Sequence, residues 1–227
     1  MKQQKFFTIY ALLGIVVCLL AWFNCVEASI ILRWASLALI CFISYKELKE
    51  DSYCYCLGAL FAGVGETFTV LGYEDYPKQV LIPYLFYFWI MFYMVKKPSK
   101  DTHTINFREN TFFIIFITIF ISYILYTVLK IISPELGSLK YLTILCASNY
   151  SFVFLYMGFM YVTKNSMRHI FLLFLMIAYI ISSATVAIEA YGYPSKVLRQ
   201  VIYAFEMTSH FLLLMFMITP DKKKNLF

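Results

Sequence analysis

Five ionisable side chains interrupt otherwise apolar stretches of this chain: Arg33, Glu66, Glu189, Glu206 and His210. Carboxyl and imidazole groups can donate and accept protons in catalysis, and a guanidinium fixes carboxylate or phosphate through paired N–H donors. Glu206 and His210 are four residues apart, the spacing that puts two side chains on one helix face, with Thr208 and Ser209 beside them. Ser182 and Glu189, seven apart, likewise share a face. Glu66 lies in the run Leu60-Phe61-Ala62-Gly63-Val64-Gly65-Glu66-Thr67, where small residues let another helix or a substrate come close. Converged on one cavity, these groups would make an acid–base site. Glu66, Glu189 and His210 are its candidate proton-handling groups, and Arg33, Ser182, Ser183, Asn149 and Glu206 its candidate substrate-holding groups.

The elements that must position them are membrane helices. Of 227 residues, 62% are hydrophobic and 14% charged, against roughly a quarter charged in a soluble domain. The net charge of +6 could suggest nucleic acid, but the basic residues fall between long apolar runs, so no nucleic-acid partner is expected. Allowing about 28 residues for a span and its connection gives about eight passes and no room for a soluble domain. The apolar runs are Phe6–Val26, Ala28–Tyr45, Tyr53–Tyr73, Val80–Val95, Thr111–Ile132, Tyr141–Thr163, His169–Gly192 and Val201–Ile218. The expectation is an all-α, polytopic integral membrane protein, a single eight-helix transmembrane domain over residues 1–227. Its finest division is Asn24-Cys25-Val26-Glu27, which must turn the chain because one 40-residue helix would be about twice the bilayer thickness.

Alternate loops divide the Lys and Arg residues into thirteen and six. Cytoplasmic loops retain basic residues, so the richer side, which holds both ends of the chain, is expected to be cytoplasmic. The expected location is a bacterial inner (plasma) membrane. The opening Met-Lys-Gln-Gln-Lys and its apolar run imitate a signal peptide, but the run is long for one and is read as a retained helix.

Counted inward at about 1.5 Å per residue, Arg33 and Glu206 lie about 8 Å deep, Glu66 about 10 Å, Asn149 about 12 Å, His210 about 13 Å and the two serines about 15 Å. Glu189 is the shallowest at about 5 Å. All occupy one half of the membrane, where polar groups persist when they have partners or a function. Desolvation favours the neutral, proton-bearing form of an unpartnered carboxyl, which makes Glu66 a candidate general acid, relay or ion site.

The six cysteines, at 18, 25, 41, 54, 56 and 146, read as packing residues of apolar helices. Cys54-x-Cys56 lacks the spacing of a redox or zinc pair, and no phosphate loop or metalloprotease motif occurs, so neither metal nor cofactor is expected. The aromatics read as lipid-facing or core residues. An offset of 117 residues matches Tyr76-Pro77-Lys78-Gln79-Val80-Leu81 to Tyr193-Pro194-Ser195-Lys196-Val197-Leu198 and pairs Gly65-Glu66 with Ser182-Ser183. This is consistent with two parallel four-helix halves.

That layout resembles the YhhN family of membrane lysoplasmalogenases, which carries Gly-Asp in its third helix and Ser-Asp in its seventh. Gly65-Glu66 and Ser182-Ser183 stand at the matching places, Arg33 matches a basic residue of the second helix, and His210 matches a glutamine late in the eighth. The resemblance implies hydrolysis of the vinyl-ether bond of a lysophospholipid, with membrane lipids as partners and Arg33 as a phosphate contact. Ser183 cannot serve as the second acid, so Glu189 or His210 would substitute. The histidine of the family's fourth helix has no counterpart in Val80–Val95. Beside the hydrolase stand two other readings: a non-enzymatic lipid-binding, sensor or interaction module, and a small proton-coupled transporter.

Overall fold

The computed structural model describes residues 2–73, 75–97, 107–132, 137–164, 166–191 and 195–220. They are nearly all helical: α1 (Lys2–Trp22), α2 (Val26–Leu48), α3 (Ser52–Gly72), α4 (Pro77–Lys96), α5 (Phe107–Ile132), α6 (Lys140–Lys164), α7 (Met167–Tyr191) and α8 (Lys196–Ile218). Six stretches of the described residues are long and apolar enough to cross a membrane, one of them Val26–Gly72, which takes in α2, a short 3-10 turn and α3. Within α5 the apolar stretch is shorter, Ile115–Ile124. Four of the basic residues that bear on orientation, Lys100 and Lys222 to Lys224, lie outside the described residues.

Local chemistry sets the breaks. After α1, Asn24 adopts φ +58°, the left-handed conformation that asparagine tolerates better than most residues. The Cys25 N–H then reaches Leu20 O at 2.9 Å and the Asn24 N–H reaches Ala21 O at 3.1 Å, a paired closure that satisfies the last carbonyls of the helix. The expected turn at Asn24 to Glu27 is thus real, although Val26 and Glu27 already belong to α2. Pro77 opens α4, where its fixed φ suits a first helical residue and its missing N–H costs nothing. Ser195 caps α8, its hydroxyl accepting from Val197 N–H at 3.3 Å. The cap starts α8 earlier than its apolar run, so Lys196, Arg199 and Gln200 are helical.

Contacts that step in opposite directions along two helices mark them as antiparallel. Arg33 to Glu66 and Cys41 to Cys56 do so for α2 and α3, and Tyr10 to Met207 and Cys18 to Gln200 for α1 and α8. Contacts that step together, Cys146 to Leu81 and Asn149 to Leu85, make α4 and α6 parallel. The first and last helices pack together, and α3 with α4 and α7 with α8 form the most extensive pairs. Of the repeat that suggested two halves, Tyr193 and Pro194 lie outside the described residues.

The burial pattern suits lipid. Leu12, Ile31, Phe42, Leu60 and Ile119 face outward, while Arg33, Ser36, Ser44 and Glu66 are buried. One apolar core, with Ile40, Met91, Met157, Leu175 and Phe216 at its centre, fills the half of the bundle where α2 turns into α3. Where that turn meets α3, Asp51 pairs with Lys97, and this bond holds the Lys97 ammonium above the usual lysine range. The other half of the bundle holds Arg33, Glu66, Glu206 and His210.

Candidate functional site

Glycines on α3 allow the site to assemble. A Cβ at Gly63 would lie 2.6 Å from Leu37 Cδ1 and 3.1 Å from the Trp34 ring, so the bare backbone is what lets α2 close on α3 at this level. Trp34 then donates from Nε1 to Thr67 Oγ1 at 3.0 Å. A Cβ at Gly65 would lie 3.0 Å from the Tyr84 ring of α4. One turn of α3 therefore receives a side chain from α2 and another from α4, with Glu66 between them.

Glu66 points into the bundle and is bonded at both oxygens. Its Oε2 accepts from Arg33 Nη2 at 3.1 Å, and its Oε1 lies 2.6 Å from His210 Nε2. The same Arg33 nitrogen donates to Glu206 Oε2, and Glu206 Oε1 accepts from the Tyr84 hydroxyl at 3.1 Å. The Arg33 guanidinium stacks over the Tyr203 ring at 4.5 Å, an attraction between a cation and a ring face. Arg33, Glu66 and Glu206 are each 3% exposed and His210 1%. The expected unpartnered carboxyl is therefore corrected: Glu66 has two partners.

Four groups this deeply buried must balance their charge. One guanidinium against two carboxylates leaves a single negative charge, and a buried net charge is costly. One exchangeable proton, carried by His210 or by a carboxyl, makes the cluster neutral. The arrangement can thus hold one proton in reserve.

Glu206 also borders a cavity of about 210 Å³ between α3, α4, α5, α6, α7 and α8, lined further by Tyr84, Phe88, Tyr150, Ser182 and Ser183. Arg33, Glu66 and His210 do not border it. Arg33, expected as a phosphate contact, is turned to its carboxylates. Asn149 donates Nδ2 to Leu85 O at 3.2 Å and so ties α6 to α4. Glu189 is not drawn to the cluster: it accepts from Arg199 Nε and Nη2 at 3.0 and 2.8 Å. Reading Arg199 as a loop residue hid that partner, because the capped first turn of α8 carries it ten residues after Glu189.

Tyr84 and Tyr203 were not among the residues singled out in the sequence. Both sit in aromatic-rich helices where each tyrosine resembles the next. The available signal for Tyr84 was indirect, the small residue Gly65 that promised a close neighbour. Among the described residues, no group of three or more His, Cys, Asp or Glu could hold a metal ion.

Fold and site together define a helical protein of membrane character with a buried acid–base cluster opening through one carboxylate onto an apolar cavity. Comparison with family models, with curated proteins and with solved structures gave no match.

Proposed function

We propose that the chain is a divergent hydrolase of the YhhN type, acting within the membrane on the vinyl-ether or a related bond of a lysophospholipid. In this reading it crosses a bacterial inner (plasma) membrane eight times with both termini in the cytoplasm, the orientation favoured by thirteen basic residues on one side against six on the other. The observation that carries the reading is that Glu206, bonded to Arg33 in the buried cluster, also lines an apolar cavity.

Vinyl-ether hydrolysis needs a proton on the double-bond carbon that does not bear oxygen, water on the resulting oxocarbenium centre, and collapse of the hemiacetal to aldehyde and alcohol. A positioned carboxylic acid supplies the first step. Glu206, at the cavity wall, is the donor in this scheme, and the Glu66–His210 pair behind Arg33 restores its proton. Water adds to the oxocarbenium carbon and gives up one proton, which returns to the cluster in place of the one donated, so that one water is the only net addition to the products. Ser182 and Ser183, on the same cavity, are placed to orient that water. The role given to Glu66 from the sequence thus passes to Glu206, with Glu66 one step behind.

A non-catalytic lipid-binding module is favoured by one observation, that Glu66 and His210 do not border the cavity. Transport finds less support, since α2, α3, α7 and α8 run unbroken through the polar level and most of the other half of the bundle is apolar core. The deciding experiment incubates purified protein, wild type, Glu66→Gln and Glu206→Gln, with a lysoplasmalogen and its alkyl-ether analogue. Aldehyde released from the lysoplasmalogen by wild type and lost in both variants supports hydrolysis. No release under conditions where an active family member works removes it.

A further inference from the structure

The cavity wall has a chemistry of its own. Glu206 is the single charged residue among the described residues that line it. Tyr84, Phe88, Tyr150 and Tyr179 line the same space, each tyrosine packing on Phe88, with ring centroids 6.2 Å apart for Tyr84 and Phe88, 5.1 Å for Phe88 and Tyr150, and 5.7 Å for Phe88 and Tyr179. Thr143, 5% exposed, lines it too, and its buried hydroxyl has no hydrogen-bond partner among the described residues. One carboxylate, an aromatic wall and a spare hydroxyl, with no lysine or arginine among these residues, suit a cation. Aromatic faces attract alkylammonium groups more strongly when water is excluded.

The charge count behind the wall points the same way. With His210 neutral, Arg33, Glu66 and Glu206 sum to one negative charge. A cation lodged beside Glu206 supplies the missing positive charge as a proton would.

We propose that this cavity binds the ammonium group of a single-chain amphiphile, held between Glu206 and the rings of Tyr84, Phe88, Tyr150 and Tyr179, with the chain leaving along the apolar side formed by Ile121, Ile124 and Val186. The site goes beyond the proposed hydrolysis, because binding requires no labile bond. The ammonium could come from a free lipophilic amine or from a choline headgroup.

The test uses purified full-length protein in nonionic detergent and a radiolabelled alkyltrimethylammonium as probe, displaced by an uncharged alcohol, an alkylphosphocholine and an alkyl sulfate of the same chain length. The expected result is tighter binding of the trimethylammonium than of the alcohol by about tenfold or more, from the cation–ring and carboxylate attractions together. Glu206→Gln is expected to abolish most of that preference. Ala147→Phe fills the cavity while leaving the charged cluster alone, and is expected to block the probe even if Glu206→Gln fails to fold. An alkylphosphocholine that competes as well as the trimethylammonium identifies a headgroup ligand, and one that competes poorly identifies a free amine. Equal binding of alcohol and ammonium, preference for the sulfate, or binding unchanged in Ala147→Phe overturns the proposal. Failure of aldehyde release leaves this result untouched, since the probe is not hydrolysed.

Discussion

Glu66 of α3 and Glu206 of α8 meet at one atom, Nη2 of Arg33, with Glu66 Oε2 at 3.1 Å. Two carboxylates brought to the same nitrogen would repel each other without that guanidinium, so Arg33 holds three helices in register. Each carboxylate keeps its second oxygen for a different neighbour, His210 for Glu66 and Tyr84 for Glu206. One side of the cluster thus faces the core and the other faces the cavity.

Removing Arg33 alone should therefore cost more than removing the whole cluster. Arg33→Met leaves two buried carboxylates facing each other, and breaking such an ion pair on one side typically costs about 3–5 kcal/mol. The triple variant Arg33→Met, Glu66→Leu, Glu206→Leu removes every charge at once and should recover most of that stability while abolishing aldehyde release. Reversible unfolding in mixed micelles measures both. Equal stability of Arg33→Met and wild type would mean that the ion pairs do not form.

The glycines separate packing from positioning. Gly63→Ala puts a carbon 2.6 Å from Leu37, and overpacking of this kind costs about 1–3 kcal/mol. Gly65→Ala meets the Tyr84 ring at 3.0 Å, a contact the ring can relieve by shifting away from Glu206. Gly63→Ala should lower the unfolding midpoint with activity per folded molecule retained. Gly65→Ala should lower the rate of aldehyde release by up to about a hundredfold, the loss that a misplaced catalytic group can cause, with little change in stability. The reverse pattern would remove Tyr84 as the residue that positions Glu206.

The helices were legible because lipid demands long apolar runs, and two of the breaks because Asn24 and Pro77 mark them. Helix ends were less legible, since charged residues such as Lys78 and Arg199 continue a helix beyond the apolar run. For the site, Arg33, Glu66, Glu206 and His210 stood out as charges placed where charge is costly. Their pairing did not, because it depends on how α2, α3 and α8 face one another. Depth along each helix suggested a common layer, whereas only packing could set Glu189 apart, and its partner Arg199 lay in residues read as a loop. The cavity was hidden in aromatic composition, where Tyr84 or Tyr150 carries no mark that Tyr126 lacks.

The Glu189–Arg199 pair is the natural control. Arg199 is 35% exposed at its side chain and Glu189 14%, and pairs near the surface contribute about 0–1 kcal/mol. Glu189→Gln should leave aldehyde release within about twofold of wild type and shift stability by no more than that amount. A loss comparable to that of Glu206→Gln would return Glu189 to the catalytic group and contradict the division drawn here between cluster and rim.

His210 separates a proton store from a structural brace. His210→Gln can still donate a hydrogen bond to Glu66 Oε1, now 2.6 Å from the imidazole, but its amide cannot carry an exchangeable proton at neutral pH. If the imidazole only braces Glu66, the variant should match wild type in both stability and rate. If it restores the proton that Glu206 spends, stability should stay close to wild type while turnover falls by about a hundredfold, the usual contribution of a positioned acid or base. A single-turnover measurement divides these further: with the cluster loaded before mixing, the first aldehyde should appear at nearly the wild-type rate, and only later turnovers should be slow. A first turnover slowed as much as the later ones would place His210 in the protonation step itself and not behind it.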